Sequence, residues 1–392
     1  MAGSVVVGGA RTPIGKMSGG LASLSGPDLG GIAITGALAS AGIAPDQVDY
    51  VIMGEVLQAG VGQIPSRQAA VAAGIPMTIP SNTINKVCLS GLHAIYLADQ
   101  MVAAGDADIV VAGGMESMTN APYLLPKGRS GYRYGNAEML DAIVHDGLFC
   151  AFDACLMGAG TERYSRAAEI SRSRQDEIAA ASHERAAAAQ KDGRLEAEIV
   201  PVEVPQRRGG PIVVDTDEGV RPGTTAESLA GLRGAFESDG TITAGNASQL
   251  SDGASAVIVM SPAKAAELGV ETLFTVAGYG QVAGPDPSLL TQPSRAIAQA
   301  LDRSGRSASD VALYEINEAF AAVAAASIDD LGVSEDVVNV NGGAIALGHP
   351  IGMSGNRLAL TLAHELRRRG GGLGAAALCG GGGQGDALLL EV

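Results

Sequence analysis

The chain has no tryptophan, and its aromatic residues make up only 3 % of 392 residues. Glycine is abundant at 55 residues, and 46 % of the composition is hydrophobic. Small apolar residues suit close packing of helices on a sheet, and this hydrophobic content excludes a collagen-like or a disordered chain. The length exceeds what one hydrophobic core usually serves, so we expect at least two lobes.

Basic residues are also scarce, because 26 Lys and Arg stand against 42 Asp and Glu and give a formal net charge of −16. Phosphate neutralisation needs clustered positive charge, so we expect no nucleic-acid partner. No charge-free apolar stretch is long enough to span a bilayer, and the first residues do not follow the pattern of a signal peptide. We therefore expect a cytoplasmic protein without a membrane partner.

Cysteine is scarce as well, with four residues in the chain. So few cysteines in a chain of this length do not indicate a disulfide scaffold. Cys150 and Cys155 have no matching Cys/His pair nearby, so we expect no metal site and assign both residues to plain packing. Cys88 and Cys379 remain to be explained.

Short apolar runs alternate with helical patterns in the first part of the chain. This alternation is typical of an α/β protein with a largely parallel sheet. A more polar region, 119–249, interrupts the pattern, and we interpret it as an inserted loop domain. The predicted strands are 4–7, 48–53 and 108–112, and the predicted helices are 27–41, 66–73 and 90–104.

Part of the chain repeats itself. The segments that start at Ser90 and at Ser354 both consist of Ser-Gly, a helical pattern, a glycine-rich bend, an apolar strand and a glycine turn. Any two strand–helix units look similar, and this alternative stays open, but a duplication implies two related halves. We predict one half at 1–118, completed by 250–270, and the other at 271–392.

Cys88 stands in "INKVCLSGLHA", between a β-like stretch and the start of a helix. A helix N-terminus favours a thiolate through its dipole and its unpaired N–H groups, so the position predicts a lowered pKa and a nucleophile. A packed small hydrophobe is the alternative, because free cysteine is among the most buried residue types.

Three further segments carry groups that can do chemistry. His349 lies in the glycine-rich "NGGAIALGHPIGMSG", where it is either a general base for a thiol or a satisfied core histidine. Cys379 begins "CGGGGQG", whose backbone N–H groups can form an oxyanion hole. Asn317 and Glu318, in "EINEAFAAV", are either functional residues or helix caps.

These segments resemble the thiolase family. The stretches "GGARTPIGK", "NKVCLSG", "NEAFAAV", "GGAIALGHPIGMSG" and "CGGGGQG" each match a family signature, in family order and at family spacing. The resemblance implies a five-layered αβαβα fold of two related halves with an inserted loop domain. It also implies coenzyme A thioesters as substrates, no permanently bound cofactor, and a homo-oligomer that is a dimer or a tetramer.

The resemblance also assigns roles to residues. Cys88 is the nucleophile that takes the acyl group, His349 activates it, and Cys379 is the acid/base that removes an α-proton from the second acyl-CoA. One oxyanion site consists of His349 with a water held by Asn317, and the other of the N–H groups of Cys88 and Gly381. The implied reaction of fatty acid metabolism is acetyl-CoA C-acetyltransfer, which joins two acetyl-CoA into acetoacetyl-CoA and CoA, with thiolysis as its reverse. A degradative 3-ketoacyl-CoA thiolase of broader chain length is the alternative.

Coenzyme A contacts also follow from the resemblance. Arg221 and Ser228 are assigned to the nucleotide and Ser248 to the pantetheine, with a solvated arginine, a helix-start serine and a turn serine as the alternatives. Two stretches depart from the family pattern. Leu156 replaces the histidine of a His-Met-Gly motif, which leaves the acyl preference open, and the loop at 289–294 is shorter than usual.

Overall fold

A computed structural model describes residues 3–392, so the first two residues of the predicted 1–118 half lie outside the described range. Sixteen strands are present in this range. They are β1 Val5–Arg11, β2 Gly15–Lys16, β3 Tyr50–Gly54, β4 Ser81–Ile84, β5 Ile109–Ser117, β6 Tyr123–Leu124, β7 Leu140–Asp141, β8 Phe149–Cys150, β9 Cys155–Leu156, β10 Val202–Val204, β11 Ile212–Val214, β12 Ser251–Met260, β13 Phe274–Ala283, β14 Val311–Ile316, β15 Leu373–Gly380 and β16 Gln384–Glu391.

Eleven α-helices accompany the strands within the same residues, together with short 3₁₀ turns and a π-helix at Ile143–Leu148. The predicted elements are confirmed with shifts of a few residues at their ends, and the helix predicted at 90–104 has those bounds in the structure. The helices are α1 Gly26–Ala41, α2 Pro65–Ala72, α3 Ser90–Ala104, α4 Met157–Ala167, α5 Arg172–Lys191, α6 Ala226–Ala230, α7 Pro262–Leu268, α8 Gln292–Ser304, α9 Ala321–Leu331, α10 Ala344–Leu347 and α11 Ser354–Arg369.

The main sheet has the strand order β14-β15-β16-β13-β1-β12-β5-β3-β4, with β2 paired to β12. The expectation of a largely parallel sheet is wrong, because only the pairs β14/β15, β3/β5 and β3/β4 are parallel. A tight glycine turn joins β15 directly to β16, and such a short connection can only produce antiparallel neighbours.

The order divides the sheet into two similar groups of strands. The first group is β4-β3-β5-β12-β1, and the second group, β14-β15-β16-β13, repeats its pattern of parallel and antiparallel pairs. In the second group a parallel bridge between Tyr314 and Val338 takes the place of the fifth strand. Two residue pairs, Val5 with Thr275 and Val6 with Phe274, join the groups. The domain boundaries remain predictions, although β12, within 250–270, pairs with β1 and β5 of the first group.

Five layers result from the packing of helices on these two groups. Helices α3 and α11 contact each other between the two groups of strands, and their buried side chains share one apolar core with both. The first group packs α1 and α2 on its other face, and the second group packs α8 and α9 there. This is the αβαβα order that the resemblance implies.

The segment that runs into α3 is long and apolar enough to cross a membrane by length and composition, with 18 residues at Val87–Ala104 and a mean hydropathy of 1.3. In this fold the helix lies in the central layer against α11 and the strands β3, β5 and β12. Its apolar character is therefore explained by contact with the two groups of strands.

The inserted region 119–249 forms three small hairpins and the helices α4, α5 and α6. Helix α5 is its main contact with the second half, where it packs on α9 and α10. The hydroxyl of Ser182 on α5 donates a hydrogen bond of 2.6 Å to the buried Glu318, so the insertion is fixed next to the loops that carry the predicted site.

Candidate active site

Cys88 lies in a sharp turn between β4 and α3. Val87 just before it has φ of +52°, a conformation that costs a β-branched residue about 1–3 kcal/mol. Ser90 closes the turn, because its Oγ accepts from the N–H of Lys86 at 2.8 Å and donates to the carbonyl of Val87 at 2.7 Å. The turn holds Cys88 in a fixed position at the base of a pocket.

The pKa of Cys88 is raised to about 12, so the expectation of a lowered pKa is wrong for the resting protein. Desolvation by burial is the largest cause, and it outweighs the backbone N–H groups of Cys88 and Gly381, which stabilise the thiolate. The carboxylate of Glu116 raises the pKa further. Near neutral pH Cys88 therefore rests as a thiol, and the predicted role as nucleophile requires a base.

His349, the predicted base, has a neutral imidazole near neutral pH. Burial and, to a lesser extent, the charge of Arg357 together lower its pKa to about 3. The Nδ1 atom lies 2.6 Å from the hydroxyl of Ser354, which itself donates to the carbonyl of Pro350 at 2.9 Å. The hydrogen-bond network therefore assigns the ring proton to Nδ1 and leaves the lone pair on Nε2.

Ser354, which the sequence marks only as the start of a repeated unit, positions the imidazole of His349. It is the first residue of α11 and is buried, and its hydroxyl orients the imidazole. A serine five residues after His349, at a predicted helix start, was the available signal, but a helix-start serine normally serves as a cap. Only the packing of the loop against α11 assigns its hydroxyl to the histidine.

Replacement of Ser354 by alanine is expected to lower kcat roughly tenfold to a hundredfold, because Nδ1 loses the partner that fixes its tautomer. KM for the thioester is expected to change less than twofold, since the hydroxyl lies behind the ring. Steady-state kinetics of Ser354→Ala and Ser354→Thr check this expectation. The threonine variant retains the hydroxyl, so equal losses in both variants would assign the effect to packing instead.

Asn317 and Glu318 follow β14, and neither caps a helix, because α9 starts at Ala321 after Phe320. The Nδ2 atom of Asn317 lies 3.3 Å from Nε2 of His349, while its buried Oδ1 has no protein partner. That oxygen is the acceptor available for the water that the resemblance assigns to Asn317.

Glu318 has a structural role beside the site. Its buried carboxylate accepts hydrogen bonds from Asn339 Nδ2 at 2.8 Å and from the N–H of Ile345 at 3.2 Å, besides that from Ser182. It therefore ties α5 and the segment before α10 to the end of β14. The loop that leads to His349 starts from this fixed point.

Cys379 lies next to the end of β15 with a relative exposure of 1 %. Burial raises the pKa of its thiol strongly, and the neighbouring Cys88 raises it further. Gly381 follows in the turn to β16, where Gly382 and Gly383 have φ of +80° and +68° and no side chain fits without strain. The turn thus presents the Gly381 N–H group to Cys88.

The structure brings the predicted catalytic residues together in two adjoining cavities. An inner pocket of about 50 Å³ is lined by Cys88, His349, Cys379 and Gly381. An adjoining cavity of about 310 Å³, here called the outer cavity, shares His349 and Ser248 with it. Asn317 lines neither cavity and reaches the site only through its contact with His349.

The predicted coenzyme A contacts are placed differently from one another. Ser248 lines both cavities. Arg221 is exposed, and its backbone N–H donates a hydrogen bond to Nδ1 of His183. Ser228 forms the capping box of α6 with Thr225. Neither Arg221 nor Ser228 lines either cavity, so their nucleotide contacts remain predictions.

The two departures from the family pattern also border the site. Leu156 is partly exposed on the wall of the outer cavity, where it makes the wall apolar. Leu289, in the short loop, is buried against Cys379 and lines the inner pocket. Among residues 3–392 no three His, Cys, Asp or Glu side chains are grouped to hold a metal ion.

Comparisons with known proteins agree with this geometry. Residues 4–263 match the family model "Thiolase, N-terminal domain", and residues 270–392 match "Thiolase, C-terminal domain". A protein of Mycolicibacterium smegmatis named "Probable acetyl-CoA acetyltransferase" is 58 % identical over 387 residues, which are 99 % of this chain and 100 % of that protein. The "Acetyl-CoA acetyltransferase" of Cupriavidus necator is 50 % identical over 388 residues, which are 99 % and 98 % of the two chains.

A solved structure agrees as well. The crystal structure of the Bacillus anthracis acetyl-CoA acetyltransferase matches with a TM-score of 0.97 and 39 % sequence identity, over 100 % of this chain and 99 % of that one. The fold that the sequence resemblance implies is therefore confirmed, and two family models together match nearly the whole chain. The chain belongs to the thiolase family.

Proposed function

We propose that this acyltransferase is an acetyl-CoA C-acetyltransferase, which condenses two acetyl-CoA into acetoacetyl-CoA and CoA and also runs in reverse as a thiolysis. The observation that carries the proposal is the inner pocket of about 50 Å³, in which Cys88, His349 and Cys379 meet. The two bacterial relatives of 58 % and 50 % identity carry the same activity in their names.

The first half-reaction transfers an acetyl group to sulfur. His349 takes the proton of the Cys88 thiol as the sulfur attacks the thioester carbon, and the carbon–sulfur bond to CoA breaks. The resting thiol makes this proton transfer necessary. The transfer accompanies the attack, because the burial that keeps the imidazole neutral also lowers its pKa to about 3 and makes it a weak base on its own. CoA leaves as a thiolate, a good leaving group, and takes its proton from Cys379.

The second half-reaction forms the carbon–carbon bond. Cys379, now a thiolate, removes an α-proton from a second acetyl-CoA, and the resulting carbanion attacks acetyl-Cys88. Cys88 leaves as a thiolate and takes back the proton that His349 holds, so every proton is returned. In this proposal the N–H groups of Cys88 and Gly381 stabilise the oxyanion, and their action on the Cys88 sulfur supports that role.

The size of the inner pocket supports an acetyl group as the acyl unit. A volume of about 50 Å³ corresponds to roughly three to five water-sized probes of about 10–15 Å³ each, which suits a two-carbon unit. Leu148, Met157 and Leu289 line the pocket with apolar side chains. The outer cavity is larger and is lined mainly by apolar residues, which suits the pantetheine arm of the substrate.

A substrate-length series tests the proposal. In the thiolysis direction kcat/KM is expected to fall at least about tenfold from acetoacetyl-CoA to 3-ketooctanoyl-CoA, because the added methylenes find no room. The variant Leu289→Ala enlarges the pocket, so its kcat/KM is expected to fall less from acetoacetyl-CoA to 3-ketooctanoyl-CoA. Faster turnover of 3-ketooctanoyl-CoA or 3-ketodecanoyl-CoA by the unchanged protein would replace the proposal with a degradative 3-ketoacyl-CoA thiolase.

The remaining properties are part of the same proposal. We propose a cytoplasmic homo-oligomer, a dimer or a tetramer, in fatty acid metabolism, with no permanently bound cofactor and no nucleic-acid or membrane partner. Exposed apolar side chains on the inserted region support an oligomer, and the charge of −16 argues against nucleic acid. These side chains are Tyr123, Leu125, Tyr134 and Met139.

A further inference from the structure

A buried carboxylate that the mechanism does not use lies close to both cysteine loops. Asp386 on β16 has no exposed surface, and its two oxygens each lie 2.8 Å from Nζ of Lys86. Tyr279 donates its hydroxyl to the same carboxylate at 2.7 Å, and His93 Nδ1 lies 3.6 Å away. The ring of Tyr96 stacks on Tyr279 at 4.4 Å and completes the enclosure.

This ion pair connects two parts of the chain that are 300 residues apart. Lys86 is two residues before Cys88, in the first half of the fold. Asp386 is paired in register with Leu378, next to Cys379, in the second half. The pair therefore spans the boundary across which the nucleophile and the second cysteine must meet.

The segment that Lys86 holds is under strain. Val87, with φ of +52°, lies between Lys86 and Cys88 and keeps this conformation only where its neighbours impose it. The hydrogen bonds of Ser90 fix the turn from the side of α3. The bond from Lys86 to Asp386 fixes it from the other half.

We propose that Asp386 is a positioning residue for acetyl transfer, which holds Lys86 and thereby sets the Cys88 turn against the loop of Cys379 and Gly381. The oxyanion site contains one N–H group from each half, Cys88 and Gly381, so it exists only when the two loops keep their relative position. The inference rests on the proposed function, because it concerns the acylation of Cys88.

The main test is the variant Lys86→Met. This variant is expected to fold, because methionine keeps the apolar stem of the lysine and the side chain of Lys86 is 21 % exposed. The rate of acetyl-Cys88 formation, followed by rapid quench with labelled acetyl-CoA, is expected to fall roughly tenfold to a hundredfold. KM is expected to stay within about twofold, because the substrate cavities are not lined by Lys86 or Asp386. Lys86→Arg keeps a charge-assisted partner for the carboxylate and is expected to recover most of the rate.

The control is Lys264→Met, which removes a surface pair with Glu267 at 2.8 Å and is expected to leave the rate unchanged. Asp386→Asn combined with Lys86→Met is expected to be no slower than the slower single variant, because both remove one interaction. Folded Lys86→Met protein that acylates at the unchanged rate would overturn the inference, even with a lowered melting temperature. Absence of label on Cys88 in the unchanged protein would instead refute the proposed function.

Discussion

Cys88→Ala protein, incubated with labelled acetyl-CoA, is expected to carry no covalent label and to lose condensation and thiolysis by roughly 10⁴-fold or more. The reason is that the proposed mechanism makes Cys88 the nucleophile, and its sulfur lines the inner pocket, where the N–H groups of Cys88 and Gly381 act on it. Alanine retains the backbone N–H group and the turn but offers no atom that can form a thioester. Mass spectrometry of peptides from the labelled protein locates the adduct.

Cys155→Ala is the matched control for this experiment. Cys155 is a free, partly exposed thiol on β9 that lines neither cavity, so its removal is expected to leave acylation unchanged. A label that persists in Cys88→Ala, or that maps to Cys155 in the unchanged protein, would contradict the assignment of Cys88 as nucleophile.

Cys379→Ala is expected to separate the two half-reactions. The variant should still form acetyl-Cys88, because the CoA thiolate is a good leaving group without a proton donor. Condensation is expected to fall about 10²-fold to 10⁴-fold, because Cys88, the other cysteine that lines the inner pocket, then carries the acetyl group and leaves no free thiol there to remove the α-proton of the second acetyl-CoA. Label on Cys88 and acetoacetyl-CoA release, measured in the same sample, give the two rates.

The loss should also be visible in proton exchange. The unchanged protein is expected to exchange the α-protons of bound acetyl-CoA with deuterated solvent, and Cys379→Ala is expected to lose this exchange. Equal loss of acylation in Cys379→Ala and Cys88→Ala would contradict the division of roles between the two thiols.

The protonation state of Cys88 could not be predicted from the sequence. The position of Cys88 before α3 predicts a lowered pKa from the dipole and the N–H groups of the helix. The N–H groups that do act on the sulfur are instead those of Cys88 itself and of Gly381 in a distant loop, and both lower its pKa. The apolar surroundings count for more and raise the pKa to about 12. Those surroundings come from Leu148, Met157 and Ile351, which are far from Cys88 in the sequence.

Positioning residues show the same limit. A serine at a helix start and an aspartate inside a strand have ordinary local explanations, so neither Ser354 nor Asp386 was identifiable from its neighbours in the sequence. Ser354 contacts His349, and Asp386 contacts Lys86, only because the folded chain brings these loops together.

The sequence by itself determined the elements and the chemical groups. Strand–helix alternation, the repeat at Ser90 and Ser354, and the motifs around Cys88, His349 and Cys379 depend on residues close together in the chain, where local propensity and residue type are decisive. The tertiary structure alone decided the antiparallel pairs of the sheet, the volume of the inner pocket, the neutral thiol and the partners of the site. Each of these depends on desolvation and contact between distant segments, which no local pattern encodes.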